Sequence, residues 1–133
     1  MITVAGQVEK VLNLTIPSVV TMSSSPPGTV TSAQLPYLFV RDAKMETIDR
    51  DFVFNRSGLK VITFEICVII EPSRQNTQPA SYTLSRAIMD ELSNALETNA
   101  ADLSLEGYSI EEKFEMSGDT VYFVVVSPVR TSA

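Results

Sequence analysis

The feature that most constrains this chain is a long alternating segment near its middle. From Lys60 to Ile70, every second residue from Ile62 onward is apolar. A period of two predicts a β-strand with one buried face, and at about 3.3 Å per residue the strand would extend roughly 35 Å. We expect its core-facing side to be formed by Ile62, Phe64, Ile66, Val68 and Ile70.

The opposite face of the same strand is mixed. It carries Val61, Thr63, Glu65, Cys67 and Ile69, which is typical of a sheet covered fully on one side and partly on the other. The segment Thr47–Phe54 also alternates, and the turn residues 55–58 separate it from the long strand. The sequence therefore predicts a long β-hairpin.

One amphipathic helix follows. Between Ala80 and Thr98, large apolar residues recur every four positions, and Pro79 suits the first turn of a helix. Asn99 and Ala100 suit its end. We expect the helix to cover the apolar face of the long strand through four core residues: Leu84, Ile88, Leu92 and Leu96.

The N-terminal third combines a short helix with two short strands. Thr3–Leu14 predicts a helix capped by Thr3, with Val4, Val8, Val11 and Leu12 on one stripe. Strands are expected at Val19–Met22 and Tyr37–Arg41. Between them, Ser23–Thr29 is rich in serine, proline and glycine, so it is either a solvated connection or a loop that orders against a partner.

The C-terminal part predicts a second hairpin. Tyr108–Met116 alternates, Ser117–Asp119 is a turn, and Thr120–Val126 follows as a strand that Pro128 would end. Residues 121–126 are apolar on both faces. The strand is therefore either central in the sheet or covered on its outer face by another subunit.

Together these elements predict one α+β domain over residues 1–133. We expect a mixed, mainly antiparallel sheet with long hairpins, packed by one principal helix and a short N-terminal helix. The first ten residues lack a basic region followed by an apolar block, so we expect no cleaved signal. No apolar run approaches the roughly 20 residues of a membrane span, and we expect no membrane contact.

Composition argues against catalysis. The chain has no histidine, which removes the usual general base and the commonest neutral metal ligand. No metal-ligand spacing or phosphate-binding glycine cluster is present, so we expect no enzyme, no metal and no cofactor. Carboxylate pairs such as Asp49 with Asp51, or Glu112 with Glu115, are interpreted as solvated charge. An enzyme would have to use carboxylates, Tyr or Lys alone.

The net charge of −6 and the single cysteine narrow the partners and the compartment. An acidic surface repels phosphate backbones, which disfavours tight nucleic-acid binding. Cys67 cannot form an internal disulfide, which fits a reducing cytoplasm. Its position inside the long strand favours the role of a small apolar residue over that of a reactive thiol.

The order of elements resembles that of the tail terminator proteins of long-tailed bacteriophages. The resemblance lies in Tyr37–Val40 leading to the hairpin, then Leu84–Leu96, then the strand Val121–Val126. It implies a ring of six copies that stops growth of the tail tube and meets the head-side connector. It also implies a location in the virion tail, with the host cytoplasm as the site of assembly, and DNA passing through the bore without specific binding.

The expected assembly residues come from the serine–proline loop, the tip of the first hairpin and the doubly apolar strand. They are Ser24, Pro26, Pro27, Phe52, Phe54, Arg56, Tyr122 and Val124. Closely related alternatives are a tail-tube subunit or a neck completion protein. A different class of protein also fits: a small ligand-binding or accessory α+β module with a pocket between helix and sheet.

Overall fold

A computed structural model describes residues 2–48, 59–73 and 82–133. Its elements in chain order are α1 (Val4–Leu12), β1 (Thr21–Ser23), a 3₁₀ turn (Ser32–Gln34), β2 (Tyr37–Ile48), β3 (Leu59–Ser73), α2 (Tyr82–Thr98), α3 (Ala100–Leu103), β4 (Leu105–Tyr108), β5 (Glu111–Ser117) and β6 (Thr120–Ser132). The fold is α+β, which confirms the class predicted from the sequence. None of the described helices combines the length and the apolar content needed to cross a membrane.

The strands form one mixed sheet in the order β1-β2-β3-β6-β4, with β5 also pairing with β6. β1 runs parallel to β2, and the other pairs are antiparallel. β4 and β5 lie along successive parts of β6. β2 and β3 pair antiparallel, as the predicted hairpin required, and Ile48 lies opposite Leu59. Residues 49–54 of the predicted first strand and its turn at 55–58 fall outside the described residues.

β2 is longer than predicted, because the expected strand Tyr37–Arg41 continues without a break into residues 47–48, the described start of the next expected strand. Pairing with β3 continues between Arg41 and Thr47, where the sequence predicted no strand. The register shifts between Arg41 and Lys44, where Asp42 has a φ of 56°. An extra residue is absorbed there as a β-bulge, so the strand bends without ending.

Pro128 does not end β6, contrary to the prediction. The strand continues to Ser132, and the carbonyl oxygen of Pro128 accepts a hydrogen bond from the N–H of Ser109 at 3.2 Å. The N and O atoms of a strand residue point to the same side, so the proline nitrogen faces the place where the neighbour changes from β5 to β4. The missing N–H therefore costs no ladder bond to β3. The same change of neighbour divides the predicted strand 108–116 into β4 and β5.

The N-terminal helix begins as predicted. The Thr3 side chain accepts a hydrogen bond from the N–H of Gly6 at 3.0 Å, a typical N-cap. The helix ends at Leu12, earlier than expected: Asn13, with φ −93° and ψ 0°, is its C-cap, and the N–H of Leu14 bonds the carbonyl of Val11 in a tighter turn. The first strand likewise begins two residues later than expected, at Thr21.

The helices pack on one face of the sheet, called here the helix face. The five alternating residues of β3 from Ile62 to Ile70 are all buried there, as predicted. Ile88, Leu92 and Leu96 of α2 are fully buried against them. Burying each such side chain stabilises the fold by about 1.5–3 kcal/mol. This contact is the principal hydrophobic core.

Leu84 differs from the prediction. It is half-buried at the margin of the core, while Ser85 is fully buried. Residues 84 and 96 are twelve positions apart, which at 3.6 residues per turn separates them by about 120° around the axis. A four-residue repeat therefore drifts off the buried stripe, and Ser85 takes the inward position.

The opposite side, called here the outer face, is also apolar at its centre. Its buried cluster consists of Tyr37, Phe39, Cys67, Ile69, Val124 and Val126. Val30 and Leu35 cover this cluster; they belong to residues 24–35, called here the strap. β6 is central in the sheet, which is one of the two alternatives predicted from its apolar faces. Residues of the same chain therefore cover the apolar centre of its outer face.

Candidate assembly surfaces

The predicted assembly residues fall into two groups in the structure. Ser24 and Pro26 are exposed in the strap, and Pro27 is half-buried there. Tyr122 and Val124 belong to β6 beneath the strap. Phe52, Phe54 and Arg56 lie outside the described residues.

Strap and sheet enclose a cavity of about 170 Å³. Pro26, Pro27 and Val30 line it from the strap, and Tyr122 and Val124 line it from the sheet. The structure thus brings four of the predicted assembly residues around one space. Val124 is only 2% exposed, so contact between Val124 and another subunit requires the strap to move.

The thiol of Cys67 lies beneath the same strap. Burial raises its pKa to about 12, which keeps the sulfur protonated and weakly nucleophilic near neutral pH. This agrees with its interpretation as a small apolar residue.

An ion-pair network borders the cavity. The Arg41 Nε donates to Glu65 Oε1 at 2.8 Å, and its Nη1 and Nη2 donate to the two oxygens of Glu115 at 2.7 and 2.6 Å. The bidentate bonds to Glu115, with the bond to Glu65, raise the pKa of Arg41, and they hold the pKa of Glu115 below its usual value. The network joins β2, β3 and β5 across the outer face.

The structure separates the carboxylates that the sequence had offered as a pair. Glu112 accepts a hydrogen bond from Ser85 of α2 on the helix face, whereas Glu115 binds Arg41 on the outer face. They cannot act together as acid and base. Asp49 and Asp51 lie outside the described ranges, and no three Cys, Asp or Glu residues within those ranges form a cluster that could hold a metal ion.

Two further grooves are open to solvent. One of about 870 Å³ is lined by Lys44 and Arg130 among others, and these cations pair with Glu46 at 2.8 Å and Glu106 at 3.2 Å. The other, of about 510 Å³, includes Glu91, whose carboxylate accepts bonds from the N–H and hydroxyl of Ser18 at 2.7 and 2.5 Å. The side chains of Lys44, Arg130 and Glu91 therefore already have partners within the subunit.

Exposed apolar side chains stand at the two opposite edges of the sheet. Val20, just before β1, is 62% exposed, and Phe114 and Met116 of β5 are 49% and 73% exposed. Met45 is a further exposed apolar residue on β2. Phe114 and Met116 pair with Phe123 and Val121 of β6, which places them on the helix face.

The sequence did not identify these edge residues. The alternation of Tyr108–Met116 predicted a strand but not which neighbours it has. One sign of an edge was present: β5 carries charged residues on both of its faces, as strands at sheet edges often do.

A comparison with protein-family models finds no match to this chain, and a comparison with curated proteins finds none either. The features that carry information are the two sheet edges, the strap over the outer face and the ion-pair network beside it.

Proposed function

We propose that this chain is a structural virion protein that forms a ring at the end of a long phage tail tube. The ring stops tube growth and offers a surface for joining to the head. One observation carries the proposal: exposed apolar side chains occupy two different, opposite edges of one sheet. A β1 edge that meets the β5 edge of the next copy makes a head-to-tail contact, and such contacts give rings when the rotation closes.

The covered faces of the sheet support an assembly through its edges. Helices cover one face and the strap covers the apolar centre of the other. The subunit therefore needs no neighbour to bury its central strands. Among the described strands, β1 and β5 have no neighbour on their outer sides, and apolar side chains are exposed there. These are the features that favour strand addition.

The net charge of −6 is consistent with a bore through which DNA moves. Binding of DNA gains free energy when cationic side chains release counterions from the phosphates, and an acidic lining gains little in this way. The proposed partners are copies of the chain, the tail tube protein and head–tail connector proteins. DNA passes without specific binding.

Electron microscopy with mass measurement tests the ring. We expect closed rings of about six copies, while long filaments would favour the tail-tube alternative. Particles of 14.6 kDa at high protein concentration would contradict assembly altogether.

Edge variants test the direction of the contact. V20E and M116E each place a charge on one edge, so each should abolish rings. Mixed together, the two variants still have one intact edge of each kind and should form pairs that cannot grow. T29E in the exposed strap is the matched control and should keep rings. Growth of the mixture beyond pairs would contradict the head-to-tail contact.

The cavity beneath the strap favours a second candidate function, a small ligand-binding module. It lies on the outer face, not between helix and sheet as the sequence suggested. A ligand that fills about 170 Å³ should raise the melting temperature of the protein, with no ordered rings. Screening small apolar compounds by thermal shift tests this candidate.

A further inference from the structure

The outer edge of β5 presents backbone groups in a defined pattern. Among the described strands β5 pairs with β6 alone, and the two are joined by the two-residue turn Gly118–Asp119, with a φ of 61° at Gly118. A two-residue turn is closed by a hydrogen-bonded pair, here Ser117 with Thr120. Every second residue from Ser117 therefore bonds to β6, and the N–H and C=O groups of Glu112, Phe114 and Met116 point away from it.

The seven residues of β5 are complementary to themselves when a second copy runs antiparallel with Phe114 at the centre. The opposed pairs are then Phe114 with Phe114, Lys113 with Glu115, Glu112 with Met116, and Glu111 with Ser117. The whole strand overlaps, and the outward backbone groups form roughly six hydrogen bonds.

We propose that two free copies pair through their β5 edges as a symmetric dimer centred on Phe114. On the outer face, each Lys113 lies opposite Glu115 of the second copy. Glu115 is already oriented by its two bonds to Arg41, and Lys113 is partly exposed and 3.3 Å from Glu115 of its own strand. The dimer adds two cross-strand ion pairs at these positions.

On the helix face the two Phe114 rings meet at the dimer axis. Each ring is half exposed and rests against Phe123 at a centroid distance of 5.4 Å. Pairing extends this aromatic contact across the two sheets and removes apolar surface from water.

Neighbouring registers are disfavoured by charge. Centring the pair on Lys113 opposes Lys113 with itself and Glu111 with Glu115. Centring it on Glu115 opposes two carboxylates that are both bound to Arg41 residues. Like charges directly opposite one another destabilise a strand pair, so the register on Phe114 is selected.

The dimer is distinct from the proposed ring. A symmetric contact uses the same edge of both copies and stops at two, whereas a ring joins different edges. Since both use β5, the dimer is a form of the free protein that competes with ring formation. The β5–β5 contact does not depend on the existence of the ring.

Cysteine cross-linking tests the register. In F114C two cysteines face each other as a hydrogen-bonded pair, with Cα atoms roughly 5.5 Å apart, a spacing that suits a disulfide. M116C is the matched control, because residue 116 is more exposed than 114 but lies opposite Glu112. We expect F114C to form the disulfide dimer about tenfold faster than M116C, while Cys67 stays buried.

Charge reversal provides the second measurement. K113E turns both cross-strand attractions into repulsions and should weaken the dimer by about tenfold or more in sedimentation equilibrium. K60E, which makes the same change at an exposed lysine of β3, should leave the dimer constant unchanged. Circular dichroism confirms that each variant is folded.

Four results would overturn the dimer. The first is cross-linking of M116C as fast as F114C, which indicates random collision. The second is a folded F114C protein that does not cross-link. The third is equal weakening by K60E and K113E. A mixture of V20C and F114C that cross-links faster than F114C alone would show instead that β5 prefers the β1 edge, which supports the ring and rejects the dimer.

Discussion

The two faces of the sheet are both buried at their centres, but by different means. On the helix face, α1 and α2 cover a continuous apolar cluster that runs along β3 from Ile62 to Ile70. On the outer face, the strap covers six buried residues, and the ion pairs of Arg41 with Glu65 and Glu115 lie beside them. A helix satisfies its own backbone hydrogen bonds and presents many apolar side chains to the sheet, whereas the strap presents few. This subunit therefore depends on its helix face for stability and has a thinner cover on its outer face.

The strap is held to the sheet mainly through side chains. The backbone bonds that the structure shows within it are local, from Gln34 to Thr31 at 3.0 Å and from Leu35 to Ser32 at 3.4 Å. Val30 and Leu35 make its apolar contacts with the outer cluster. Segments with few buried contacts open at a lower free energy than packed helices, so we expect the strap to open before the core does.

The largest effect is expected on the helix face. L92A should lower the free energy of unfolding by about 2–5 kcal/mol, because Leu92 is fully buried and its removal leaves a cavity. L84A is the matched control and should cost about 1 kcal/mol, because Leu84 is half-buried. Urea denaturation measures both. Equal losses of unfolding free energy in L92A and L84A would contradict the position of Leu84 at the margin of the buried stripe of α2.

The strap should give an intermediate effect. L35S removes one of its two apolar contacts and should lower the free energy of unfolding by about 1–2 kcal/mol. It should also speed the labelling of native Cys67 by a thiol reagent, because the strap covers that residue. S24A, in the exposed part of the strap, is the control. Unchanged labelling in L35S would show that the strap does not protect Cys67.

A smaller effect of about 1 kcal/mol is expected from the ion-pair network. Arg41 holds the pKa of Glu115 below its usual value of 4.5, so the folded state gains stability above that pH and loses it as the pH falls through the lowered pKa. Between about pH 6 and about pH 3, the unfolding free energy of E115Q should therefore fall less steeply than that of the wild type. R41M should flatten the curve in the same way. A slope unaffected by either change would place the acid sensitivity elsewhere.

The smallest effect concerns two buried serines on the helix face. Ser127 is fully buried, and its hydroxyl has no protein partner among the described residues, so S127A should change the unfolding free energy by less than about 0.5 kcal/mol. Ser85 is equally buried but bonds Glu112 and the carbonyl of Tyr82. S85A should cost about 1 kcal/mol. A larger loss of unfolding free energy in S127A than in S85A would contradict the view that Ser85, and not Ser127, makes a stabilising hydrogen bond.

Local patterns predicted the elements well where one period dominates. The alternation of β3 and the stripe through Ile88, Leu92 and Leu96 identified the two halves of the core. The same reasoning was wrong at Leu84, since a repeat of four departs from 3.6, and at Pro128, where the change of neighbouring strand makes a missing N–H harmless. Neither outcome follows from the residue alone, because each depends on what packs beside it.

The candidate site was less predictable than the core. Pro26, Pro27, Tyr122 and Val124 were expected to face a partner, and the structure brings them together around a cavity within the subunit. Phe114 and Met116 were expected only as members of a strand. Their exposure at an edge became visible with the order of the strands.

Local patterns were enough to predict the α+β class, the principal helix, an antiparallel partner for β3 on its N-terminal side, and the apolar side of β3. These follow from periodicity and turn chemistry over neighbouring residues. Three features became visible only in the folded sheet: β5 lies at an edge, the strap covers the outer face, and Arg41 binds Glu115. These depend on pairings between residues far apart in the chain, and the free energy of such pairings is set by the whole packed sheet, which no local pattern encodes.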